Sequence, residues 1–145
     1  MSTVRTIEQR RAEHAWRAVK AVAGEGGSVA SDYLGLARGA AADIQVNGLG
    51  QTLAFWRAKA KGDGDGAHQR LLDHVGSWVG PQMGAPDTGL LEWLVAPTTG
   101  SAAYRRATWE ALAYLKWVKR FAEAELDEKK GKGRESRGGG DGGEG

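Results

Sequence analysis

The stretch from Ser101 to Glu128 constrains the fold most. Tyr104, Ala107, Ala111, Leu115, Val118 and Ala122 return to one side of a wheel turned at about 100° per residue. Ser101 can cap such a helix, and the 26 residues to Leu126 would reach roughly 39 Å at about 1.5 Å per residue. It is the longest element the sequence predicts.

The same periodicity recurs upstream. Arg5 to Ala23 carries Ala12, Ala15, Trp16, Val19 and Val22 on one side, with Arg10, Glu13, Arg17 and Lys20 on the other, and GEGGS stops it. Asp32 can cap a second helix through about Val46, with Tyr33, Leu36, Ala37, Ala40 and Ile44 inward. Gly35 and Gly39 in its middle either weaken it or mark close packing. Leu49, Leu53, Trp56 and Ala60 define a third helix that ends in KGDGDG. Ala67 to Val79, with Leu71, Leu72, Val75, Trp78 and Val79 inward, predicts a fourth; GPQMGAPD and a short segment from Gly89 to Ala96 follow.

Composition agrees with an all-α chain, since alanine supplies much of the apolar content and Val and Ile are few. The expected architecture is a compact bundle of five to six helices over residues 1–128. A glycine-rich tail, 129–145, has no large apolar residue and is expected to be disordered. At 145 residues one domain is expected. No apolar run approaches the roughly 20 residues that span a bilayer, and the N-terminus lacks the apolar core of a secretory signal. A cytoplasmic protein without a membrane partner is the expectation.

Familiar chemistry finds little support. Without cysteine there are no disulfides, thiolate metal sites or cysteine nucleophile. His14, His68 and His74 lack metal-ligand spacing. Asp63-Gly64-Asp65-Gly66 fails as a calcium loop, because Ala67 stands where a ligand is needed and His68 where glycine is needed; a flexible turn is the reading. Asn47-Gly48 would signal a hairpin between alternating strands, but its flanks have helical periods. Gly48-Leu49-Gly50 lacks both a third glycine and a Lys-Ser/Thr ending, so a phosphate loop drops out as well. What remains is a joint between helices, with Asn47 or Gly48 in a left-handed conformation. No cofactor is expected.

One surface stands out. Opposite the apolar side of the last helix lie Arg105, Lys116, Lys119 and Arg120, with Arg106 at the flank and Trp109 in the middle. Cations neutralise phosphates and an indole among them offers a stacking surface, which is the chemistry of single-stranded nucleic-acid binding. A solvated basic face, with Trp109 against a neighbouring helix or a protein partner, explains the same residues. Arg57 and Lys61 on the third helix, and Arg10 and Arg17 on the first, either extend this field or serve solubility. The net charge of +2 and pI near 9.0 push only weakly toward an acidic partner.

The segments NGLGQTLAFWRAK at 47–59 and YRRATWEALAYLKWVKRFAEAEL at 104–126 resemble the small subunit of the type III-B CRISPR effector, the Cmr complex. RRAEHAWRAV and AHQRLLDHVGSWV are similar to that family too, so the likeness runs in order over most of residues 5–126. The resemblance implies an all-helical protein stacked in several copies along an RNA-guided filament, beside the repeating backbone subunits. Guide RNA paired to target RNA runs along that surface. It implies no catalytic site, since cleavage and cyclic oligonucleotide synthesis belong to other subunits, and it points Arg105, Lys116, Lys119 and Arg120 toward RNA. A purely structural adaptor, or an enzyme with a site shared across interfaces, are the competing expectations.

Overall fold

The structure is a computed structural model that describes residues 4–63, 66–85 and 89–128. Six helices follow in order: α1 (Ile7–Glu25), α2 (Gly27–Asn47), α3 (Leu49–Asp63), α4 (Ala67–Gln82), α5 (Leu90–Val95) and α6 (Ser101–Glu125). Strands are absent among the described residues, so the all-α expectation holds. The expected tail at 129–145 and the turn at 64–65 lie outside the described residues.

Local chemistry sets the boundaries. Thr6 opens α1 with a reciprocal cap: its hydroxyl accepts the Gln9 N–H at 3.0 Å, and the Gln9 side chain accepts the Thr6 N–H at 2.8 Å. Gly26 and Gly27, at φ of 65° and 60°, turn the chain, and α2 starts at once. Asp32 therefore lies inside α2 instead of capping it. The glycine pair breaks the helix within two residues, and Ser28 to Ala30 are free to resume it. Similarly, Gly100 occupies the N-cap of α6 and Ser101 is its first helical residue.

The joint between α2 and α3 is a single residue. Gly48 takes φ 88° and ψ 157°, its N–H donates to the Ile44 carbonyl at 2.7 Å, and its own carbonyl accepts from Thr52 at 3.1 Å. Asn47 stays helical. Two residues on, the Gly50 N–H donates to the Tyr104 hydroxyl at 2.7 Å, which fastens the start of α3 to the start of α6.

The α2 glycines behave differently: a Cβ built at Gly35 or Gly39 meets nothing within 4 Å, so neither marks close packing. Opposite outcomes are expected for two Gly-to-Ala changes read by urea denaturation. Gly35→Ala should add about 0.5–1 kcal/mol by restricting the unfolded chain. Gly48→Ala should lose about 1–3 kcal/mol, because its dihedrals are open only to glycine.

One apolar core draws on all six helices, with Trp56, Tyr33 and Tyr114 its largest fully buried side chains. Partners rise together along α1 and α6: Arg11 meets Glu110, His14 meets Tyr114, Trp16 meets Phe121 and Lys20 meets Glu125. The first and last helices therefore lie side by side and parallel. By contrast, α4 runs antiparallel to α1, with Ser77 against His14 and Arg70 against Glu25.

A polar cluster sits where α1, α2, α4 and α6 converge. His14 Nδ1 is 2.7 Å from the Tyr114 hydroxyl and its Nε2 is 3.0 Å from Ser77, while the Tyr33 hydroxyl lies 2.8 Å from His74 Nδ1. Burial pushes both tyrosine hydroxyls up and His14 down; it pushes His74 down to about 4, helped by the nearby charge of His14.

A pH dependence follows. A histidine in the unfolded chain titrates near about 6.5, so below that pH the unfolded state binds a proton that folded His74 refuses. Stability present at neutral pH is lost as pH falls from about 6.5 toward about 4, by about 3 kcal/mol from His74. Urea midpoints at successive pH values should show the fall, and His74→Asn should reduce it.

Candidate nucleic-acid interface

The longest helix carries the surface of interest. Arg105, Arg106, Trp109, Lys116, Lys119 and Arg120 are all exposed, as the helical period requires of positions opposite Ala107, Ala111, Leu115, Val118 and Ala122, which are buried. Arg105, Trp109, Lys116, Lys119 and Arg120 fall within a sector of about 100°, and the row from Arg105 to Arg120 extends about 22 Å along the axis. Arg106 sits at its edge. Tyr104, read as part of the apolar side, is half-buried and reaches α3 through its hydroxyl.

The electrostatic setting separates these cations from seven others among the described residues. Arg5, Arg11, Arg17, Lys20, Arg38, Arg57 and Arg70 all pair with carboxylates. Arg105, Arg106, Lys119 and Arg120 enter no ion pair among the described residues, and Lys116 is near enough to Glu8 to help lower its pKa without a direct bridge. Glu123, the acid on the same side of the helix just beyond the row, is held by Arg38 at 3.3 Å. Positive charge on this row is left uncompensated, which is the condition for attracting phosphate.

The other candidates divide. Arg57 makes two hydrogen bonds to Glu92, at 2.8 and 3.2 Å, so its guanidinium is already engaged, whereas Lys61 is exposed without an ion pair among the described residues. Arg17 is bound to Glu13 at 2.7 Å, and Arg5 reaches the same carboxylate at 2.5 Å; these two arginines hold the Glu13 carboxyl below its usual range, Arg5 foremost. Arg10 is exposed and unpaired among the described residues. No hydrogen bond or ion pair joins Arg10, Arg17, Arg57 or Lys61 to the α6 row among the described residues.

Beneath the row lies a group that sequence reasoning missed. Arg11 is 4% exposed and binds Glu110, itself 7% exposed, at 2.5 Å through Nε and 3.0 Å through Nη2. The Trp78 indole N–H donates to the same carboxylate at 2.8 Å, and Glu8 closes the far side of the guanidinium. Trp117 and Arg11 hold the Glu8 carboxyl below its usual range. The Arg11 guanidinium lies 5.7 Å from the Trp109 ring centre, so this buried network backs the exposed indole. A signal was present: Arg11, Ala15, Ala18 and Val22 keep helical spacing, and Glu110 is the sole acid between Ser101 and Ala122.

Trp16 also sits differently from expectation. It is 40% exposed, edge-on to Phe121 at 5.2 Å, while Trp117 stacks on Phe121 at 5.4 Å and Lys20 lies over Trp16 at 5.3 Å. Ala18 takes the buried place that the sequence reading assigned to Trp16. An aromatic seam thus fills the outer edge of the α1–α6 contact.

Among the described residues no group of three or more His, Cys, Asp or Glu is placed to hold a metal ion, and no helix is long and apolar enough to cross a membrane. The molecule is thus an all-α chain whose most distinctive surface is a row of uncompensated cations around one indole. A family model for CRISPR-associated proteins (Cas_Cmr5) matches residues 7–125. The chain belongs to that family, the small subunits of the Cmr CRISPR effector complex.

Proposed function

We propose that the chain is a non-catalytic subunit of a type III-B effector, stacking in several copies beside the backbone subunits and holding guide RNA paired to target RNA along α6. The observation that carries this reading is the charge on α6: Arg105, Arg106, Lys119 and Arg120 face solvent without an ion pair among the described residues, where Arg11, Arg38 and Arg57 are each held by a carboxylate. Contacts to phosphate position a duplex without reading its sequence, which is left to base pairing. Lys61 and Arg10 are secondary candidates on the same grounds. Photo-crosslinking in the assembled, target-bound complex tests it. Crosslinks should map to residues 105–120, and their absence from α6 would refute the assignment.

A second surface favours protein contact. Val95 is 71% exposed and lines an apolar groove with Gly50, Ala54 and Leu91. A row of cations and an apolar groove suit different partners. The adaptor role therefore adds to RNA contact, with α3 and α5 toward protein.

A further inference from the structure

We infer that Trp109 is a stacking site for an unpaired RNA base, an assignment that rests on the RNA reading of α6 and adds to it a contact that paired strands do not supply.

Four observations converge on this indole. Trp109 is 66% exposed, against 40% for Trp16, 7% for Trp78 and 1% for Trp56, so its ring serves no core. Its position is fixed from below by Arg11, which Glu110 and Glu8 immobilise and Trp78 supports through Glu110. Arg105 and Arg106, four and three residues earlier and without an ion pair among the described residues, have Cβ atoms about 5–6 Å from that of Trp109. On the other side the neighbours at the same helical spacing are Leu112 and Ala113, both half-buried, so neither carries a charged group to the ring.

A nucleotide matches this arrangement, because each one carries an anionic phosphate beside a flat aromatic face. Stacking is sequence-tolerant and most of its ordering cost is already met when the platform is rigid. A base inside a duplex has both faces covered by its neighbours, so the ligand is a base outside the paired run. The cation behind the indole adds a third layer to the stack, guanidinium, indole and base. A protein partner would have to bring acidic groups to Arg105 and Arg106 together with an apolar cover for Trp109; RNA brings both in one unit.

The test uses the full-length protein, a fluorescent single-stranded oligouridylate, the same strand with abasic sugars, and a long blunt RNA duplex. Trp109→Ala should lower the ratio of single-strand to duplex affinity by about five- to a hundredfold. It should leave the dependence of log Kd on log salt unchanged, since no phosphate contact is lost. Trp109→Phe, which keeps a ring, should retain most of the ratio and guards against a folding defect. The abasic strand should bind wild type and Trp109→Ala alike. Equal weakening toward strand, abasic strand and duplex would overturn the stacking site, as would loss of binding to another Cmr subunit with RNA affinity intact. If the wild type bound duplex but showed no preference for bases over abasic sugars, the stacking site alone would fall. If it bound none of the three RNAs, the RNA reading would fall with it.

Discussion

Glu110→Ala is expected to lower the stability of the bundle by about 3–5 kcal/mol. The carboxylate is nearly inaccessible and serves two donors, the Arg11 guanidinium at 2.5 and 3.0 Å and the Trp78 indole at 2.8 Å. Removing it strands a cation in the interior with only Glu8 left, and an indole N–H with no acceptor. Glu110→Gln keeps an acceptor for Trp78 but loses the charge, so it should fall between. The double change Arg11→Met with Glu110→Leu removes both charges and should recover much of the loss, because a buried pair gains little over well-packed apolar groups. Urea denaturation with the slope held constant reads all three variants. A loss under about 1 kcal/mol for Glu110→Ala would show that water reaches the pair.

Replacing Arg105, Lys116, Lys119 and Arg120 together by alanine is expected to leave folding intact and to impair retention of target RNA by the assembled complex. All four face solvent and hold no direct ion pair among the described residues, so little native structure depends on them. If each meets one phosphate, the slope of log affinity against log salt falls by about 3 to 4. Over a fourfold rise in salt the wild type should then lose about sixty- to 250-fold more affinity than the variant. An unchanged slope in a correctly assembled complex would exclude α6 as the phosphate-binding surface.

Periodicity alone made the architecture legible. The apolar set of α3 is buried as its spacing required, with Leu49, Leu53, Trp56 and Ala60 at 3% exposure or less, and so is that of α6 apart from half-buried Tyr104. Helix starts were harder. Asp32 and Ser101 have the chemistry of caps, yet Gly26 and Gly100 hold those positions, because a glycine turn resets the chain wherever it falls. The exposed row on α6 was readable because exposure follows from the helical period. Which of its cations are uncompensated was not: that depends on Arg57 meeting Glu92 and Arg38 meeting Glu123, pairings between elements far apart in the chain. Arg11 and Glu110 were missed for a related reason. Each is a charged residue whose partner lies 99 positions away in the chain.

The parallel seam of α1 and α6 also governs how the chain acquires its structure. Arg11 and Glu110 are 99 positions apart, His14 and Tyr114 100, and Lys20 and Glu125 105. Helical bundles usually fold through local contacts and have low contact order. Here the ion pair that secures the interior is among the most distant in sequence. During synthesis at about 5–20 residues per second, α1 waits several seconds for α6, with Arg11 short of its main counter-charge. The pairing of Arg11 with Glu110 therefore cannot be completed until α6 has been made, and a chain that stops short of α6 lacks it.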